Sequence, residues 1–232
     1  GSLALLAFLL IGAAAWVGWR RLPQTVAIAA PAVIALGLTL VVWTGGETWK
    51  TVLSSGVFRF RETVVDTERL ERRKQLVKLL FYEDGTDATV SVERSQVGND
   101  QFTTVLRING KPDASSRGDM STQYLLAHIP MLARPDAKDV FLLGFGSGVT
   151  AGALLGHPIE RLDIAENCEP VIRAAPLFSE WNRGVHTNKV ARIWNEDART
   201  ILKLSDQRYD VIISEPSNPW TVGVGSVFSQ DF

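Results

Sequence analysis

Between Asp139 and Ser214 the chain alternates four short apolar runs with helix-like segments, and this rhythm restricts the fold more than any other feature. DVFLLG (139–144), ERLDIAE (160–166), KVARIW (189–194) and YDVIIS (209–214) read as strands. GVTAGALLG, Glu169 to Trp181, and Ala198 to Leu204 read as the helices between them. Strands joined through helices imply crossovers, hence a parallel sheet and the α/β class. In such a sheet, ligands bind beyond the carboxyl ends of the strands. Those ends carry Gly144-Phe145-Gly146-Ser147-Gly148, then Glu166, then Asp197, then Glu215.

Three smaller regions precede this one. Between residues 3 and 43 the only charges are Arg20 and Arg21. Runs at about 3–19 and 25–43, with Trp16, Trp19 and Trp43 at their ends, predict two transmembrane helices within residues 1–45. Residues 46–78 form a charged linker. Residues 79–116 read as a small β-hairpin domain, with Asp84-Gly85 and Asn109-Gly110 as turn signals. Asp119 then caps a helix with Met120, Tyr124, Leu125, His128 and Leu132 on one face, opening the domain of the parallel sheet over 117–232. Only four parallel strands precede the end of the sequence, so the sheet is expected to be truncated.

Composition removes several function classes. With a formal charge of −1, nothing global points to nucleic acid. The lone Cys168 excludes a disulfide framework and a cysteine-rich metal site. His128, His157 and His186 lack metal-ligand spacing, so no metal is expected.

The glycine pattern is G-x-G-x-G, not the G-x-G-x-x-G of pyrophosphate-binding folds. No lysine or arginine stands in the turn to hold a phosphate. Glu166 follows Gly148 by eighteen residues, where a carboxylate can accept both ribose hydroxyls. Asp197 is suited to an adenine amine. A phosphate-free sulfonium nucleoside is therefore favoured: S-adenosylmethionine or its decarboxylated form.

In order, these motifs resemble the spermidine synthase (polyamine aminopropyltransferase) family, in particular its bacterial membrane-fused members. The likeness runs over roughly Leu79 to Phe232 and rests on several segments. These are Ile108-Asn109-Gly110, Ala127-His128-Ile129-Pro130-Met131, Gly144–Gly148 with His157-Pro158, Glu166, Glu196-Asp197-Ala198, and YDVIISEPSNP from Tyr209. The resemblance implies a Rossmann-like fold of the S-adenosylmethionine-methyltransferase type. It also implies aminopropyl transfer from decarboxylated S-adenosylmethionine to a putrescine-like amine. Glu215 is then the catalytic proton acceptor. Gly144, Gly146, Ser147, Gly148, Glu166 and Asp197 bind the nucleoside, and Asp113, Asp119, Tyr124 and Asn218 are candidates for the amine.

Four positions depart from the family. Ser147 replaces the aspartate that holds the donor's amine, and Thr122 replaces an acceptor-site tyrosine. Glu215 and Asn218 replace the two aspartates of D-x-x-D-P. Two alternatives therefore stand beside the aminopropyltransferase: an S-adenosylmethionine-dependent methyltransferase, and a non-catalytic subunit of a membrane complex. Expected partners are the lipid bilayer and a second copy or a complex subunit. The expected location is the bacterial inner membrane, with the globular part on the cytoplasmic side.

Overall fold

The computed structural model describes Gly12, residues 48–56, 67–98 and 101–215, and Ser229. The chain divides into two compact units, Gly1–Trp49 and Lys50–Phe232. The first described helices are α1 (Thr48–Ser54) and the charged α2 (Thr67–Leu76). The membrane location expected from the apolar runs is corrected here. Among the described residues no helix is long and apolar enough to cross a membrane. The longest of them has 14 residues, about 21 Å against a hydrocarbon layer of roughly 30 Å. The runs at 3–19 and 25–43 lie outside the described residues.

Four antiparallel strands come next: β1 (Val77–Asp84), β2 (Thr89–Val97), β3 (Gln101–Ile108) and β4 (Lys111–Ser115), in that spatial order. Asn109 and Gly110 both have positive φ, 50° and 73°, which is the two-residue turn that suits the twist of a hairpin. β4 escaped the sequence reading because Pro112 lies inside it. It is an edge strand, where a residue without an N–H is tolerated.

Val90, Val92, Leu106 and Ala114 are buried together with the side chains of the second sheet. Glu93, on β2, is also buried, and both its oxygens accept from Arg73 Nη2 at 2.6 Å. It accepts further from Arg107 Nε at 2.7 Å and Ser54 Oγ at 2.7 Å. One buried carboxylate thus joins α1, α2, β2 and β3.

The second sheet is parallel, in the order β7-β6-β5-β8. Its strands are β5 (Asp139–Leu143), β6 (Arg161–Ala165), β7 (Ala191–Trp194) and β8 (Val211–Ser214). β5 is apolar on both faces. Val140 and Leu142 join the larger core, while Phe141 and Leu143 join Ala165 and Ala198. Helices α3 (Met120–Ala133) and α4 (Val149–Leu154) contribute to the larger core, and α7 (Ala198–Leu204) to the smaller one.

The helix expected from Glu169 to Trp181 is broken into α5 (Glu169–Ala174), a 3₁₀ turn (Ala175–Phe178) and α6 (Ser179–Asn182). Pro176 has no N–H with which to continue the helical ladder. The face expected for α3 also differs. Gln123, Ala127 and Met131 are buried, while Leu125 and Leu132 are exposed.

Two contacts tie the sheets together. The β1–β2 tip meets α5, where a Cβ added at Gly85 would lie 3.0 Å from Pro170 Cγ. Arg173 of α5 donates from Nε to Glu83 of β1 at 3.0 Å. Between α3 and the end of α4, His128 Nδ1 and His157 Nε2 are hydrogen-bonded at 2.8 Å.

Glu93→Ala leaves Arg73 and Arg107 without their shared counter-charge. It should destabilise the fold by about 3 kcal/mol or more in chemical denaturation; a loss below about 1 kcal/mol would show the network to be dispensable. The His pair predicts a pH effect. Burial, and then His128, hold the His157 imidazole below its usual pKa. The folded state therefore resists its protonation, and this contribution is complete above about pH 6.5 and lost as pH falls towards the depressed value. Thermal unfolding of His157→Gln should lose less stability than the wild type between about pH 7 and pH 5; equal slopes would remove His157 as the cause.

Candidate nucleoside-binding rim

The backbone ladder of the parallel sheet runs one residue past the strands. Gly144 N–H donates to Ala165 O at 2.9 Å, Glu166 N–H to Trp194 O at 3.0 Å, and Glu215 N–H to Leu143 O at 2.9 Å. Leu143 pairs with Ala165 and with Ser214. Glu166 and Glu215 therefore flank Gly144 from the two neighbouring strands, roughly 10 Å apart across two strand spacings. Side chains alternate in direction along a strand. Two residues back, Leu142, Ile164 and Ile213 belong to the larger core, so the two glutamates emerge on that face.

Gly144 has a φ of 89°, and a Cβ there would lie 2.6 Å from the Glu215 carbonyl oxygen. A side chain would force β5 and β8 apart. Gly146, with a φ of 53°, differs: its nearest neighbour would be the Ala114 Cβ at 4.0 Å. Of the two, Gly146 leaves room for a ligand beside the backbone. Gly148, also at positive φ, precedes α4 and packs on the Phe145 ring.

Glu166 is partly buried. Its oxygens accept from Phe145 N–H at 3.1 Å and Cys168 N–H at 2.9 Å. Burial raises its pKa, backbone donors from Cys168, Phe145 and Gly146 oppose the rise, and Asp113 adds to it. Burial also pushes the Glu215 carboxyl up, to about 7; Thr150 opposes this by a hydrogen bond, and Asp113 and Asp119 reinforce it. Asp113, on β4, is close enough to act on both glutamates, and Lys111 lies 3.7 Å from it.

The sequence reading missed the residue that connects these parts. Gln123 is 3% exposed. Its Nε2 donates to Asp119 Oδ2 at 3.0 Å and Ser115 O at 3.2 Å, and its Oε1 accepts from Ser147 Oγ at 2.6 Å. Its backbone oxygen accepts from Thr150 Oγ1 at 3.1 Å. A signal existed: Gln123 shares a helical face with Ala127 and Met131, so a polar group there had to be satisfied internally. Ser147 is buried and turned towards Gln123. Asp119 is held by Gln123 and by Ser115 N–H at 2.9 Å.

The remaining candidates lie apart from this network or beyond description. Asp197 is exposed and caps α7, accepting Thr200 N–H at 3.1 Å. Tyr124 stacks on His128, with ring centroids 6.2 Å apart. Tyr209, which opens the last motif, donates to the buried Asp163 at 2.9 Å. Burial, followed by Asp163, pushes its hydroxyl to about 12, and its role is structural. Cys168 is half-buried, with its thiol pKa raised by burial and then by Glu166. Asn218 lies outside the described residues. Among the described residues, no group of three or more His, Cys, Asp or Glu could hold a metal ion.

Known proteins are similar to this chain in sequence and in fold. The polyamine aminopropyltransferase of Lachnospira eligens is 29% identical over 134 residues, covering 57% of this chain and 46% of the relative. That of Thermococcus onnurineus is 30% identical over 133 residues, covering 56% and 46%. The thermospermine synthase ACAULIS5 of Arabidopsis thaliana is 28% identical over 120 residues, covering 51% and 35%. The chain thus spans about half the length, or less, of the curated relatives it matches. Among solved structures, a spermidine synthase in complex with the transition state analogue AdoDATO superposes with a TM-score of 0.58 at 22% identity. The match covers 66% of this chain and 51% of that one. The Thermotoga maritima spermidine synthase gives 0.55 at 21% identity, covering 61% and 48%. These structural likenesses carry the fold, a Rossmann-like α/β sheet of the methyltransferase type. The spermine/spermidine synthase domain matches residues 120–232, a little under half of the chain, and that part is similar to the family.

Proposed function

We propose that this chain forms the nucleoside-binding half of a spermidine-synthase-like aminopropyltransferase. Its donor is decarboxylated S-adenosylmethionine and its acceptor a small putrescine-like amine. The observation that carries the reading is the pair of glutamates flanking Gly144 on one face of the sheet, with Glu215 held at about 7.

Glu166 binds the ribose. Three backbone donors already occupy most of the roughly four lone-pair positions of its carboxylate. Accepting both ribose hydroxyls requires Glu166 to release one of them. Gly146 gives the nucleoside access to the loop backbone, and Asp197 meets the adenine amine. Gly144 and Gly148 shape the turn.

An aliphatic amine with a pKa of about 10 arrives protonated. Glu215, near neutrality, is matched to accept that proton. The freed nitrogen lone pair attacks the carbon beside the sulfonium. The carbon–sulfur bond breaks, its electrons pass to sulfur, and a neutral thioether nucleoside leaves. Asp113 and Asp119, the carboxylates that act on Glu215, supply the acceptor side, where they attract a second ammonium.

A second reading is methyl transfer from ordinary S-adenosylmethionine. It is favoured by Ser147, whose hydroxyl is neutral, buried and taken by Gln123. Calorimetry of the full-length protein separates the two. Aminopropyl transfer predicts tighter binding of decarboxylated S-adenosylmethionine than of the intact form, and methyl transfer the reverse.

Glu166→Ala should weaken donor binding by roughly 10- to 100-fold; unchanged heats would exclude Glu166 from the ribose site. Glu215→Gln should lower kcat by about 100-fold or more while sparing donor affinity. In the wild type, kcat/KM should fall as pH drops through about 7, because only the ionised carboxylate accepts a proton. An acid limb below about pH 5, where unperturbed carboxyl groups titrate, would contradict that role.

A further inference from the structure

Within the turn from Gly144 to Gly148, all three glycines have positive φ. A segment so rich in glycine has little steric preference of its own, so its shape must be imposed by neighbours. Glu166 holds the turn on the ligand side, accepting Phe145 N–H at 3.1 Å. In the proposed complex that carboxylate gives up one backbone donor to the ribose hydroxyls. A second anchor is needed on the other side.

Asn182, the last residue of α6, provides it. The side chain is fully buried and belongs to no motif read from the sequence. Its Nδ2 donates to Ser147 O at 3.0 Å and to Ala175 O at 3.0 Å, and its Oδ1 accepts Gly184 N–H at 3.0 Å. Both amide hydrogens are thereby used. Its orientation is fixed by these partners, because an inverted amide would set Oδ1 against two carbonyl oxygens. Across a trans peptide, C=O and N–H point in opposite directions. The Ser147–Gly148 peptide is therefore held at both ends, since Gly148 N–H donates to Phe145 O at 2.8 Å. Packing matches the bonding. A Cβ at Gly148 would lie 3.2 Å from Asn182 Nδ2, and one at Gly152, in α4, 2.3 Å from the Asn182 carbonyl oxygen. The break at Pro176 serves this contact: Ser179 N–H donates to Pro176 O, and the Ala175 carbonyl goes to Asn182.

We infer that Asn182 is a positioning residue for the nucleoside donor: its amide draws the Ser147 carbonyl into the core and holds the glycine turn in the conformation that leaves Gly146 open beside the rim. Asn182 itself touches no ligand. It acts through the turn, from the side opposite Glu166, and it does not loosen when the sugar engages that carboxylate.

The donor part of this inference rests on the nucleoside-binding reading of the rim; the part concerning the turn does not. Full-length Asn182→Asp keeps the shape of the side chain but, once ionised, has no hydrogen for either carbonyl. Asn182→Ala makes the same comparison if that variant does not fold. Amide hydrogen exchange, read by mass spectrometry without ligand, should quicken about tenfold over residues 144–149 and stay unchanged over 101–111. By calorimetry, the form of S-adenosylmethionine that the wild type binds, decarboxylated or intact, should bind about tenfold more weakly. The KM for that donor should rise with it, while kcat at saturating donor stays within about twofold. Lower kcat with an unchanged donor KM and faster exchange throughout the chain would mark a purely structural role and overturn the inference. Unchanged exchange over 144–149 in both variants, or faster exchange there with unchanged donor affinity, would also overturn it. A wild type that binds neither form removes the proposed donor. Exchange over 144–149 then decides alone: faster in the variant upholds Asn182 as the clamp of the turn, and equal overturns it.

Discussion

Three main-chain hydrogen bonds, from Gly144, Glu166 and Glu215 to the strands beside them, set the geometry of the whole rim. They extend a parallel ladder past its last assigned residues and line up two acids on either side of a glycine. The alignment depends on β5 being the inner strand. An inner parallel strand must be apolar on both faces, and DVFLL meets that demand. Register is unforgiving, because a one-residue slip would send both carboxylates to the opposite face. Gly144 reinforces the register, since no side chain fits between it and the Glu215 carbonyl.

Burying acids at this edge has a cost, and the surroundings respond differently to each one. Glu166 faces backbone N–H groups, which favour its charge, yet burial still raises its pKa. Glu215 is opposed by Thr150 but stands near the acidic Asp113 and Asp119, and burial raises it to about 7. Two glutamates on one face therefore titrate under different influences. The amide of Gln123 keeps Asp119 and Ser147 in place while contributing no charge of its own.

Much of this was legible beforehand, for definite reasons. The strand–helix alternation and the polar strand ends identified the parallel sheet and its rim, because periodicity and strand polarity are local properties. β4 was hidden by Pro112, and the break at Pro176 was passed over within an apolar stretch. Gln123 and Thr150 were missed because their importance lies in long-range pairing, which no spacing along α3 or α4 announces. The exposed Leu125 and Leu132 misled in the opposite sense: apolar character alone does not tell which face of a helix is covered. Ser147 was noticed as a missing charge, but its inward turn towards Gln123 emerged only from the fold.

The contact between Gly85 and Pro170 has one more consequence. Glu166 accepts from Cys168, whose residue directly precedes α5, and α5 carries the proline on which the β1–β2 tip rests. The β1–β2 tip and the Glu166 carboxylate thus share one short helix as their support, the tip through Pro170 and the carboxylate through the N–H just ahead of it.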